Sequence, residues 1–140
     1  MDFFQLLFGF SGRINRAKYW LAAVVYIVIV AVLGTLVYEL DMVEEMPGLL
    51  ILLAVVIYIP LIISGVAVGI KRLHDRDKSG WWLLVFYVLP ALLGWLAETT
   101  GPYLVFELAS FAFAIWGLIE LGFLRGTSGP NQYGPDPLAS

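Results

Sequence analysis

Cysteine is absent from this chain, and histidine occurs once. The first absence excludes disulfides, thiolate metal sites and a cysteine nucleophile, and it says little about compartment. Charge is scarce as well. Only 14% of residues are charged and 61% are hydrophobic, whereas soluble domains carry about 25% and about 45–50%. Two local absences say more. No lysine or arginine lies between Tyr19 and Ile70, and none lies between Trp81 and Leu124. Residues Met1 to Phe10 lack a basic segment and a small-residue cleavage pattern, so no removable signal peptide is expected. The 140 residues suit one domain, 1–140.

What is present is four apolar runs, at 19–38, 47–70, 81–97 and 103–124. About 20 helical residues cross a hydrocarbon layer of roughly 30 Å. The first two runs fit easily and the third is at the short limit. The fourth carries Glu107 and Glu120, each about one turn from an end. Backbone groups in lipid must pair within their own segment, and the runs do not alternate polar with apolar, so helices are expected and a barrel is not. The expected fold is an all-α integral membrane bundle of four transmembrane helices. Its tail is residues 126–140.

The basic residues orient it. Arg13, Arg16 and Lys18 precede the first run. Lys71, Arg72, Arg76 and Lys78 fill the loop between the second and third, and Arg125 follows the fourth. The other two loops carry Glu39, Asp41, Glu44, Glu45 and Glu98. By the positive-inside rule both termini lie in the cytoplasm, beneath a cap of polar loops. Tyr19, Trp20, Trp81 and Trp82 suit the inner interface, and Tyr38, Trp95 and Tyr103 the outer one.

Local signals predict details. Ser79 is expected to cap the third helix. Thr100 is expected to cap the fourth, with Pro102 in its first turn. Pro60 and Pro90 fall near mid-depth and should bend their helices. Gly65 and Gly69 form a GxxxG that allows close helix approach. Phe3, Phe4, Leu7, Phe8 and Phe10 suggest a short interfacial stretch. Tyr19-Trp20-Leu21 and Trp81-Trp82-Leu83 look alike, as inward-starting helices tend to.

Three polar segments converge on the cytoplasmic side. They contain FSGRINRxxYW from Phe10 to Trp20, KRLHDxxKSGWW from Lys71 to Trp82, and GxNQYGPDP from Gly129 to Pro137. In this order and spacing they resemble the bacterial inner-membrane family called domain of unknown function 805, over almost the whole chain. The resemblance implies a small multi-pass protein of the bacterial inner membrane with no established activity, so it carries over no catalytic residue.

The chemistry of these segments allows several uses. Asp75 is expected to pair with Arg13 or Arg16 and tie the loop to the N-terminal segment, because charges half-buried at an interface persist when paired. Lys71, Arg72, Arg76 and Lys78, beside Ser79, Trp81 and Trp82, could hold anionic lipid headgroups. A relay of His74 with Asp75 would need a serine such as Ser11 or Ser79. A metal would need His74, Asp75, Asp77 and Asp136 together, without a diagnostic ligand pair. Glu107 and Glu120 point to nearly opposite faces. Glu120 is read as paired with a cytoplasmic arginine and Glu107 as reaching the outer interface. The tail is expected to dock: Asn131 to Pro135, with Tyr133 as its aromatic anchor, should pack on the Lys71–Trp82 loop.

The candidate residues are therefore Arg13, Asn15, Arg16, Lys71, Arg72, His74, Asp75, Arg76, Lys78, Ser79, Trp81, Trp82, Asn131 and Tyr133. The leading reading is a non-enzymatic membrane component that binds lipid headgroups or a protein partner through this cap. No cofactor, metal or nucleic acid is expected. A homo-oligomer or another membrane protein could be its partner. The alternatives are a small transporter or channel component, then a membrane enzyme using His74.

Overall fold

The computed structural model describes residues 1–139, and Ser140, the last residue of the expected tail, lies outside them. The described residues form helices and no strand. Helix α1 is Phe3–Phe8, α2 is Arg16–Glu39, and α3 is the single turn Met42–Glu45. Helix α4 is Pro47–Asp75, α5 is Leu84–Thr99 and α6 is Tyr103–Phe123.

Three of these helices, α2, α4 and α6, are long and apolar enough to cross a membrane; α5 is apolar but shorter. The third run thus forms less regular helix than its 17 apolar residues suggested. Its first turns are tight. Trp82 N donates to Ser79 O at 3.3 Å, Leu83 N to Gly80 O at 3.0 Å and Leu84 N to Trp81 O at 3.0 Å. Ser79 enters through its backbone carbonyl rather than as the expected side-chain cap.

Helix α4 runs five residues past the expected end. At 29 residues it is roughly 43 Å long, so one end must extend beyond a hydrocarbon layer. Residues Lys71 to Asp75 continue the helix because their side chains find partners there. Thr100 also differs from expectation. Its Oγ1 donates back to Leu96 O at 2.6 Å, closing α5, while Pro102 opens α6 by accepting from Phe106 N at 3.3 Å.

Both mid-helix prolines follow a wide turn, Ala54–Tyr58 before Pro60 and Leu84–Val88 before Pro90. Proline offers no N–H and crowds the carbonyl four residues back, so the ladder widens to π-type spacing. A third wide turn, Ile119–Phe123, ends α6, with Leu124 N on Ile119 O at 3.0 Å.

The densest packing is at the basic end. Leu6, Ile14, Ala22 and Val68 form one buried cluster, and Leu73, Leu83, Phe86 and Leu121 another. Gly117 allows the Phe86 side chain against α6, where a Cβ would come within 2.8 Å of the Phe86 Cβ and 3.1 Å of its ring. Of the GxxxG pair, Gly69 meets Leu83, whereas Gly65 faces open space. In α1, Leu6 turns inward, while Phe3 and Phe4 are exposed, as is Phe10 after the helix. The outward flanks of α2 and α4 are apolar and exposed, as helices facing lipid require.

Candidate functional site

The end of α4 forms the centre of the cap. Asp75 is buried and accepts from two guanidinium groups. Arg13 reaches Oδ1 through Nε at 3.2 Å and Nη2 at 3.0 Å, and Arg72 Nη1 reaches Oδ2 at 2.5 Å. The expected tie between Asp75 and the N-terminal segment is therefore present, through Arg13. Arg16 instead donates to Phe123 O at 2.8 Å.

Arg13 spends all five of its donors. Besides Asp75 it bonds Thr127 O at 2.6 Å, Gly129 O at 2.7 Å and Gly134 O at 3.2 Å. Charges taken out of water persist only with full compensation, and here the compensation is mostly backbone carbonyl. Arg72 Nε bonds Leu121 O at 2.6 Å, and its Nη2 bonds Leu124 O.

The same pattern repeats around the cap. Helix ends leave carbonyls without partners, and cations near a C-terminus also meet its dipole favourably. Lys71, fully buried, donates to Gln5 O and Leu6 O at 2.6 Å each, closing the end of α1. At the end of α6, Trp20 Nε1 takes Gly122 O at 2.9 Å and Arg76 Nη1 takes Arg125 O. Five consecutive carbonyls, Leu121 to Arg125, are thus claimed by side chains of α2, α4 and the residue following α4.

Glu120, buried beside this turn, pairs with Arg76 at 2.9 Å and with Lys78 at 3.9 Å. The expected arginine partner is therefore found. Lys78 also lies 4.6 Å from the Trp82 ring centre, while Trp81 is exposed.

The tail docks where expected. Asn131 Nδ2 donates to His74 O at 2.8 Å, and Tyr133 stacks on the His74 ring at 3.9 Å, tilted by 4°. Gln132 Nε2 reaches Asp77 Oδ1 at 3.1 Å. A tight turn joins Asn131 and Gly134 through paired backbone bonds of 3.1 Å, and Gly134 takes a positive φ of 136° there. Asp136 receives Gly129 N and Leu138 N at 2.9 Å each. These backbone donors, Leu138 first, hold its carboxyl below the ordinary range.

His74 does not form a relay with Asp75. Its Nδ1 faces Gly12 O at 3.1 Å, and a carbonyl can only accept, so Nδ1 carries the proton. Among the described residues no three His, Asp or Glu side chains gather at metal-binding distance. Asn15 caps α2, its Oδ1 accepting from Lys18 N at 3.0 Å. Nearer mid-depth, Tyr26 OH and Ser64 Oγ pair at 2.6 Å.

One opening interrupts this self-satisfied cap. A cleft of about 470 Å³ lies between the start of α2 and the end of α6, lined by Asn15, Arg16, Ala17, Trp20, Asp75, Gly122, Phe123, Arg125, Gly126 and Leu138. A smaller hollow of about 260 Å³ shares Asp75, Arg125, Gly126 and Leu138 with it.

Residues 7–135 match the family described as "Protein of unknown function (DUF805)". The chain belongs to this family. It is similar to "Inner membrane protein YhaI" of Escherichia coli (strain K12), 34% identical over 92% of this chain and 86% of the relative. It is likewise similar to "Inner membrane protein YhaH" of that strain, 33% identical over 92% of this chain and 87% of the relative. A third relative, "Uncharacterized protein YiiR", is 31% identical over 94% and 88% respectively. No solved structure matches. YhaI and YhaH are inner membrane proteins by name, and the three apolar helices suit that setting.

Of the residues singled out from sequence, Arg13, Lys71, Arg72, His74, Asp75, Arg76, Asn131 and Tyr133 converge on the cap, with Asn15, Arg16 and Lys78 at its edge. Ser79 contributes backbone, Trp82 packs against Lys78 and Phe86, and Trp81 stands apart. Sequence reading missed Arg125, Gly126 and Leu138 as cleft residues. Arg125 stood out only as the end of an apolar run.

Proposed function

We propose that this is a four-span inner-membrane protein with both ends in the cytoplasm, and that it is a non-enzymatic component binding anionic lipid headgroups through its cap. The single observation that carries the binding reading is the cleft between α2 and α6. Arg16 and Arg125 line it together with Trp20, whose amphipathic ring suits headgroup depth. The four cations first suited to this role, Lys71, Arg72, Arg76 and Lys78, are engaged with carbonyls, carboxylates and a tryptophan ring. That moves the binding reading to Arg16 and Arg125.

The orientation rests on charge. Every lysine and arginine lies on α2's first turn, the C-terminal end of α4, the α4–α5 segment, or the segments flanking α2 and α6 at that end. The fourth span rests on α5 plus its tight entry turns, which a locally thinner bilayer or flanking tryptophans would accommodate. Purified in native membrane patches, the protein should carry anionic phospholipid into the mass spectrometer. Reporter fusions should read cytoplasmic at the Lys71–Lys78 segment and external at Glu39–Glu45 and Glu98. Absence of bound anionic lipid counts against the binding reading, and a cytoplasmic signal from Glu39–Glu45 against the orientation.

A small transporter or channel component is the second reading. It is favoured by the Tyr26–Ser64 pair and by the wide turns ahead of Pro60 and Pro90.

A further inference from the structure

Resting on that binding reading, we propose that the cleft between α2 and α6 recognises a phosphomonoester group, in preference to the phosphodiester of an ordinary anionic headgroup. Arg16 commits Nη1 to Phe123 O and keeps its remaining donors. Arg125 is exposed, and its guanidinium pairs with no carboxylate among the described residues. Two guanidinium groups on one cleft suit phosphate oxygens, which accept two parallel N–H bonds from each.

Charge selects the ester class. The cleft is lined by the cations Arg16 and Arg125 and by Asp75, which Arg13 and Arg72 pair from behind the wall, and Asp136 lines the smaller hollow; together these groups leave two positive charges in excess. The Asp75 carboxylate on the wall is not a free anion, because both its oxygens already accept from guanidinium groups. Asp136 is turned to backbone N–H donors. A phosphomonoester carries about −1.5 to −2 at neutral pH and balances the excess; a phosphodiester carries a single charge and does not. The volume of about 470 Å³ exceeds that of a bare phosphate and falls within the usual range for small ligands. The apolar share of the wall, Trp20, Phe123 and Leu138, suits the start of the acyl chains of a lipid.

The test uses the full chain in phosphatidylcholine nanodiscs doped with equal fractions of phosphatidic acid or phosphatidylglycerol, read by native mass spectrometry. Phosphatidic acid should be retained about fivefold over phosphatidylglycerol, the scale of one extra charge contact. That preference should vanish in Arg16→Gln and Arg125→Gln. It should persist in Lys18→Gln, which removes the same formal charge from the next residues of α2 without touching the cleft. Arg125→Gln breaks no side-chain bond that closes the cap, so it guards against loss by misfolding. Soluble glycerol 3-phosphate is added as competitor. Lipid that stays bound identifies the membrane as the source, and displacement at matched concentration assigns the same site to a soluble phosphomonoester. Equal retention of the two lipids, lost in both arginine variants, overturns the phosphomonoester assignment and leaves headgroup binding standing. Loss of preference in Lys18→Gln overturns it too, because bulk charge then suffices. Retention of neither anionic lipid above phosphatidylcholine removes the binding reading itself.

Discussion

Gly126 lies so close to Asp75 that a Cβ at position 126 would sit 2.0 Å from Oδ2. The carboxylate cannot retreat without leaving Arg72 or Arg13, which hold it at 2.5 and 3.0 Å. Gly126→Ala is therefore expected to destabilise the fold by on the order of 3 kcal/mol, the scale of breaking a buried charge pair. Thermal unfolding in detergent checks this; an unchanged midpoint would show that the carboxylate moves freely.

Asp75→Asn should cost a similar ~3–5 kcal/mol, because it leaves two buried guanidinium groups without their anion. The double variant Arg13→Gln/Asp75→Asn should be less destabilised than the sum of the two single changes. Additive losses would mean that the pair does not interact.

Docking of the tail makes amide exchange slow at Asn131 and Gly134, whose N–H groups are bonded. Replacing Tyr133 with Ala removes the ring on His74 and should speed exchange there by about fivefold, as the loss of roughly 1 kcal/mol of aromatic contact implies. His74→Ala should do the same. Fast exchange in the wild-type tail would rule docking out.

Asp136 gives the tail a pH dependence. Its carboxyl titrates below the ordinary value because Leu138 N and Gly129 N hold the charged form. A depressed folded pKa contributes stability at pH above the unfolded value, and that contribution is lost as pH falls through the folded one. Tail order, followed by the ring resonances of Tyr133, should be constant from neutral pH to about 5 and decline below about 4. Asp136→Asn should abolish that step; a step that survives belongs to another group.

Much of this was legible in residue order. Apolar runs set the helices, because lipid leaves backbone no partner outside its own segment. Asp75 with an N-terminal arginine, Glu120 with an arginine that the structure identifies as Arg76, and the docking of Asn131 and Tyr133 were readable because opposite charges and aromatic anchors carry a signature in the letters. The carbonyl partners of Lys71, Arg72 and Arg13 were not, since every residue has a carbonyl and none advertises which will be left free. Thr100 was assigned to the wrong helix for a related reason: its hydroxyl can bond forward or back, and Pro102 took the opening position of α6. Arg125 and Gly126 gained their importance only from the wide turn that places them beside Asp75.

The end of α6 has a consequence for biosynthesis. Residues Leu121 to Arg125 offer the carbonyls that Trp20, Arg16, Arg72 and Arg76 use, and the tail offers those that Arg13 uses. All of these acceptors are translated after their donors. While the ribosome is still making α5, the early cations have no such carbonyl to bond and must stay hydrated. Only when the final helix has been delivered can they be drawn inward, so the cap closes last and locks helices that formed before it.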